Sequence, residues 1–273
     1  MTPFVRKVVV VFYAALLLFV AVAPSQAETA KPPYKPYSGQ SGKDVIWVPT
    51  PQALVDRMLD MAKLTDEDYL VDLGSGDGRT VIAAAKRGVR AHGVEYNAKM
   101  VALAEFNAKR EGASGLATFE RADIFQSDFS KATVVTLFLL PEINLRLRPI
   151  LLDMKPGTRI VSNSFHMAEW QPDEAIDAGG DCEKWCRAYK WIVPAKVDGR
   201  WRIGGGELRL TQTFQWLAGE LTEDDKVVPL SEARLNGADI MFTAAGKRYY
   251  GRVDGPEMVG AIDGAQKFTA RRM

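Results

Sequence analysis

The run Tyr69-Leu70-Val71-Asp72-Leu73-Gly74-Ser75-Gly76-Asp77-Gly78-Arg79 organises the chain around it. An apolar strand ends in an acid, turns through three alternate glycines and enters a small-residue helix, Thr80 to Lys86. Glycine at such a turn lets the backbone approach a ligand closely, where a side chain would block it. A dinucleotide-binding turn requires Gly-x-Gly-x-x-Gly/Ala. Here the third place of that pattern is Arg79, so the pattern fails.

Further along lie two more strand ends of the same kind. Arg90 to Val94 is apolar and closes on Glu95, where an acid can accept ribose hydroxyls across one turn of an αβ sheet. Ala117 to Arg121 is followed by Ala122-Asp123-Ile124. Val134 to Leu140 is apolar throughout, as a central parallel strand should be, and Arg159 to Ser164 follows the helix Pro141 to Leu152. Upstream, Thr50-Pro51 reads as an N-cap and first helical residue, with Leu54, Val55, Met58, Leu59 and Ala62 on one face. Ala98 to Glu111 carries Met100, Val101, Ala104 and Ala108 in the same way. Strands alternating with helices give an α/β, doubly wound, Rossmann-like parallel sheet with ligands at the carboxyl ends of its strands.

Asp72-x-Gly74-x-Gly76-x-Gly78 closely resembles the first motif of class I S-adenosylmethionine (SAM) methyltransferases. The resemblance spans residues 44 to 165. Trp47-Val48-Pro49-Thr50-Pro51, the glycine turn, Gly93-Val94-Glu95 and Gly157-Thr158-Arg159-Ile160-Val161-Ser162 look like the membrane-anchored mitochondrial protein-lysine methyltransferases. More distantly they are similar to the histone lysine methyltransferase of the seven-strand fold. The resemblance implies SAM as methyl donor and a protein lysine as acceptor. It carries Thr50, Asp72, Gly74, Ser75, Gly76, Glu95 and Asp123 over as cofactor contacts, Asp123 meeting the adenine amino group and Ile124 packing on the ring. One departure concerns the acceptor. Many amino-methylating relatives carry Asn/Asp-Pro-Pro-aromatic after the fourth strand; here that place reads Phe138-Leu139-Leu140-Pro141-Glu142. An N6-adenine or glutamine methylase is disfavoured, while a lysine or a small molecule stays open.

A lysine acceptor must first lose a proton, which costs about 4–5 kcal/mol at neutral pH from a reference pKa near ~10.4. Two residues are candidates for catalytic roles at the acceptor. Glu142 lies in the first turn of a helix facing the methyl end of the cofactor, although the helix dipole favours an acid there regardless. His166 follows the fifth strand at the same edge, where it could act as base or simply as a hydrogen-bonding loop residue. Tyr34, Tyr37, Trp47 and Trp170 are read as packing aromatics, with a lid as the alternative.

The ends of the chain add two further expectations. Arg6 and Lys7 precede sixteen uncharged residues, Val8 to Ala23, then Pro24 and the small residues around Ala27. That is the anatomy of a signal peptide over residues 1–27, implying export to the periplasm; left uncleaved, the apolar run of residues 8–23 would tether the chain to a membrane. Residues 28–43, rich in Pro, Gly, Ser and Lys, read as a linker. Without the leader, 33 basic face 34 acidic side chains, a balance that argues against a nucleic-acid partner.

The methyltransferase domain is expected over 44–204, its last two strands being the hairpin Tyr189–Val197 and Arg200–Ile203. A small antiparallel β-meander should follow over 205–273 as a packing or recognition module. The two cysteines, Cys182 and Cys186, are too few for a zinc site and are expected to stay unpaired, a local disulfide being the alternative in an oxidising compartment. Three functions stay open: a SAM-dependent protein-lysine methyltransferase, a methyltransferase for a small metabolite or lipid, and a non-catalytic exported scaffold.

Overall fold

The computed structural model describes residues 31–179 and 182–273; the expected leader and the first residues of the linker lie outside them. The described chain starts with a short hairpin, β1 (Gln40–Ser41) paired antiparallel with β2 (Ile46–Trp47). Then come α1 (Gln52–Ala62), β3 (Tyr69–Leu73), α2 (Arg79–Lys86), β4 (Arg90–Glu95), α3 (Ala98–Arg110), β5 (Ala117–Arg121), β6 (Val134–Leu137), α4 (Pro141–Leu152), β7 (Arg159–Asn163), β8 (Glu174–Asp177) and β9 (Arg187–Ile192). Strands β3 to β9 form one sheet in the order β5-β4-β3-β6-β7-β9-β8. Its first five members are parallel, and β9 and β8 run antiparallel at the end. This is the doubly wound α/β sheet expected. Strand order reverses between β3 and β6, and a crevice opens there for a ligand.

Alternation builds the two faces. Leu70 and Val134 enter the core under α1 and α2, whereas Val71, Leu73, Val135 and Leu137 enter the core under α4. A period of two sends successive side chains to opposite faces, so strands covered on both sides become continuously apolar.

Several expectations are corrected. The antiparallel ending of the sheet is β9 with β8, a strand absent from the sequence reading, and not the hairpin of 189–197 with 200–203. Arg200–Ile203 belongs instead to a second sheet, so the methyltransferase sheet ends at Ile192, short of residue 204. That second sheet contains β10 (Gly199–Ile203), β11 (Gly206–Thr213), β12 (Trp216–Glu223), β13 (Lys226–Pro229), β14 (Ser231–Asn236), β15 (Asp239–Ala244), β16 (Lys247–Asp254), β17 (Glu257–Ile262) and β18 (Gln266–Arg272). The expected antiparallel meander is present, and it closes on itself. β18 pairs back onto β10, and β12 contacts both β11 and β14, which closes eight strands into a barrel with β13 as an extra strand on β12. Trp201, Leu208, Leu235, Phe242 and Met258 fill its interior. Closure removes the free edges that an open sheet would expose.

The linker is also not a free spacer over its described part. Gln40 is buried; its Oε1 accepts from Tyr34 Oη (2.9 Å) and Tyr37 N (3.1 Å), and its Nε2 reaches Met100 Sδ at 3.6 Å. Cys182 and Cys186 form a disulfide, their Cα atoms 5.8 Å apart on a bend. Among the described residues no helix is long and apolar enough to cross a membrane.

Candidate functional site

At the carboxyl end of β3 the chain turns on Gly74 (φ +82°) and Gly76 (φ +54°), a backbone region that disfavours side chains. A Cβ on Gly74 would stand 3.1 Å from Leu139, and one on Gly76 2.6 Å from Trp47 Nε1. Leu139 and Trp47 therefore pack directly against the turn, and only glycine leaves them room. Glu95, ending β4, holds the turn in place: Oε2 accepts from Gly76 N (3.0 Å) and Oε1 from Asn97 N (2.8 Å).

Asp72 is buried beneath the turn. Its Oδ1 accepts from Thr136 Oγ1 at 2.6 Å. Burial pushes its carboxyl up to about 7, against the help of Thr136, and the nearby acids Glu95 and Asp77 push the same way. Asp123 follows β5. Its Oδ1 accepts from Phe125 N (3.0 Å) and its Oδ2 from Lys43 Nζ (2.5 Å), and Lys43 lowers its pKa. The Lys43 ammonium also stands 4.9 Å above the Tyr96 ring.

These residues border one cleft. Of the residues expected to contact a cofactor, Thr50, Asp72, Gly74, Ser75, Gly76, Glu95 and Asp123 all line it. Thr50 arrives by a different route from the one expected. The cap position of α1 is Pro51, and the Thr50 hydroxyl accepts from Asn163 Nδ2 at 3.2 Å instead of capping the helix. The two catalytic candidates are not brought to the cleft wall. Glu142 is exposed in the first turn of α4, while Leu139 and Ile143 take the cleft side. His166 is exposed in the loop after β7, its Nδ1 accepting from Ala168 N at 3.1 Å.

Trp47, one of the aromatics read as packing or lid, lies against the glycine turn, whereas Trp170 is fully buried in the core. Another contact escaped the sequence reading. Arg79, the residue that breaks the dinucleotide pattern, pairs with Asp77 (2.6 Å) and donates to Thr50 O (2.7 Å), tying the turn to the segment before α1. No periodic signal marks these contacts.

The residues present fit SAM. Asp72, Glu95 and Asp123 border one cleft and suit a ligand rich in donors (an ammonium, two ribose hydroxyls and an adenine amine). The buried Ser75 Oγ has no partner of its own.

Comparison with known proteins points the same way. Residues 72–174 match the ANTKMT methyltransferase domain. A protein-lysine N-methyltransferase of Saccharolobus islandicus is 44% identical over 135 residues, which cover 48% of this chain and 84% of that enzyme. An adenine nucleotide translocase lysine N-methyltransferase of Mus musculus is 38% identical over 114 residues, which cover 41% of this chain and 50% of that enzyme, so the chain spans half the length of that relative. A solved structure described as an RNA methyltransferase from Salinibacter ruber with S-adenosylhomocysteine shares 45% identity at a TM-score of 0.51, covering 55% of this chain and 96% of that one. With the glycine turn, its acids and this extent of similarity together, the chain belongs to the class I SAM-dependent methyltransferases, in one family with the Saccharolobus protein-lysine N-methyltransferase.

Proposed function

We propose that this enzyme methylates a protein lysine. One observation carries the reading: Asp72, Glu95 and Asp123 converge on a single cleft, and all lie within the segment shared with the ANTKMT methyltransferase domain. The Saccharolobus relative, matched over most of its length, is named for lysine. The balanced charge of the leaderless chain favours a protein over the nucleic acid named for the Salinibacter relative.

Bound SAM supplies an electrophilic methyl group on a sulfonium. The protein's share is placement and desolvation. Asp72, Glu95 and Asp123 orient the donor, with Thr50, Gly74, Ser75 and Gly76 forming the floor and wall. Leu137, Phe138, Leu139 and Ile143 line the other side of the cleft with apolar surface. An amine held against such a wall is favoured in its neutral, nucleophilic form, because burial penalises the ammonium. In-line approach at fixed distance supplies much of the acceleration.

The test is transfer of labelled methyl from SAM to protein in an envelope extract, followed by identification of the modified side chain. Methyl-lysine is the expected product. Label only in lipid or low-mass fractions would replace lysine with a small acceptor.

Export through residues 1–27, or tethering through residues 8–23, belongs to the same proposal. The Cys182–Cys186 disulfide supports it, because such links persist in oxidising compartments. A reporter fused after Met273 should be active on the periplasmic side; activity in the cytosol alone would overturn this part.

A further inference from the structure

Three aromatic rings from three different strand ends meet beside the cofactor cleft. Phe138 follows β6 and lines the cleft itself. Phe165 follows β7, and its ring centroid lies 6.2 Å from that of Phe138 in a stacked arrangement. Trp185 precedes β9 and closes the group, 6.0 Å from Phe138 and 5.6 Å from Phe165. Trp185 is 44% exposed, so this indole is displayed at the surface and not spent on the core.

The surroundings hold these rings in place. Phe165 O accepts from the buried Asn144 Nδ2 (3.2 Å), and Ser164 N donates to Arg187 O (2.7 Å), which joins the Phe165 loop to the start of β9. Trp185 has φ +58°, an uncommon setting for a bulky side chain, and the Cys182–Cys186 link encloses it in a short covalent ring. The collar is completed by a residue beyond the segment 72–174 that matches the methyltransferase family.

We propose that Phe138, Phe165 and Trp185 form a collar that receives the alkyl-ammonium arm of the methyl acceptor, with the disulfide holding Trp185 in its place. The proposal rests on the lysine reading of the site. Ring faces attract an ammonium electrostatically, and their apolar surface covers a four-carbon stem. The attraction grows when the cation is methylated and more weakly hydrated, so the collar also binds the product. Trp185 is a binding and positioning residue here, reached through Phe138 from the cleft.

The experiment is calorimetric titration of the full chain, saturated with S-adenosylhomocysteine, with two probes. One is Nα-acetyl-trimethyllysine methylamide, the other its neutral counterpart Nα-acetyl-norleucine methylamide. The unaltered protein should prefer the cation. Trp185→Ala should weaken cation binding by roughly three- to thirtyfold, the span set by cation–π energies. Trp185→Phe should keep most of the affinity. The double variant Cys182→Ser/Cys186→Ser should weaken it in the same direction as Trp185→Ala. Cofactor-product affinity equal to that of the parent shows that each variant is folded.

Equal cation binding by Trp185→Ala and the parent, or no preference for the cation in the parent, overturns the collar. The two readings fail separately. Methyl-lysine in the extract with Trp185-independent probe binding removes the collar and keeps the lysine acceptor. Trp185-dependent cation binding without methyl-lysine in any protein removes the lysine acceptor and leaves an alkylammonium site.

Discussion

Asp72 is held at a cost. Its carboxyl sits under the glycine turn with one hydroxyl partner, and burial raises its pKa to about 7. The sign follows from proton linkage. The folded state holds this proton to higher pH than the unfolded state does, so the group's contribution to stability falls as pH rises from about 4 to about 7. A cationic ligand reverses the balance, because it favours the ionised carboxylate. S-adenosylhomocysteine retains the α-ammonium, and its affinity should be about tenfold weaker at pH 6 than at pH 8, following the ionised fraction of Asp72. Asp72→Asn should weaken binding and flatten that profile, while raising the melting temperature of the free protein at pH 8. Calorimetric titration across pH checks the first outcome, and a persistent slope in the variant would assign the proton elsewhere. Asp72, Glu95 and Asp123 stand out in the sequence because each lies at or just beyond the carboxyl end of a strand, the edge where a doubly wound sheet opens its crevice. Glu142 and His166 were picked out on the same ground, and neither lines the cleft. Being near the correct edge does not fix which way a side chain points, and Leu139 and Ile143 occupy the inward positions.

The hairpin β1–β2 turns a supposed linker into part of the site. Gly39 N donates to Trp47 O (2.8 Å), Gly42 N donates to Val45 O (3.0 Å), and a Cβ on Gly42 would strike Val45 O at 2.3 Å. These local bonds shape a strap that Gln40 anchors on Met100 and Lys43 on Asp123. The exposed Lys43 contact is worth little by itself, since exposed ion pairs contribute about 0–1 kcal/mol. Trp47, laid over Gly76, is the stronger element. Trp47→Ala should weaken S-adenosylhomocysteine about tenfold, chiefly through faster dissociation, the magnitude expected for loss of a packed aromatic contact. Stopped-flow displacement measures it; an unchanged dissociation rate would make the strap a bystander. Composition concealed this element. Pro, Gly, Ser and Lys signal a spacer when partners are far away in sequence, and Lys43 meets its carboxylate only after β5 has been placed.

The barrel gives the molecule a further hydrophobic core apart from those on the two faces of the sheet. Trp201 lies at its centre, fully buried, with Nε1 donating to Val197 O (2.8 Å) and the Arg272 guanidinium 4.6 Å over its ring. An antiparallel module over 205–273 was legible from the sequence, but its closure was not. β10 and β18 pair across the whole length of the module, and no local pattern announces a partner that distant. β13 and β14 carry weak strand signals for another reason: Pro229 ends one, and the other carries a register shift between Ser231 and Arg234 with Glu232 at φ +52°. Such a bulge breaks the period that reveals a strand. Contact between barrel and sheet runs through a few sites, among them Phe214 stacked on Trp170 (6.0 Å) and Ala195 N donating to Gly237 O (2.8 Å). Separate cores with limited contact should unfold in separate steps. Trp201→Ala should cost the barrel about 3–5 kcal/mol and produce an early melting transition in scanning calorimetry. S-adenosylhomocysteine binds only the sheet, so it should move the later transition upward and leave the early one in place. A single transition shifted as a whole by the ligand would instead show that barrel and sheet stabilise each other as one cooperative unit.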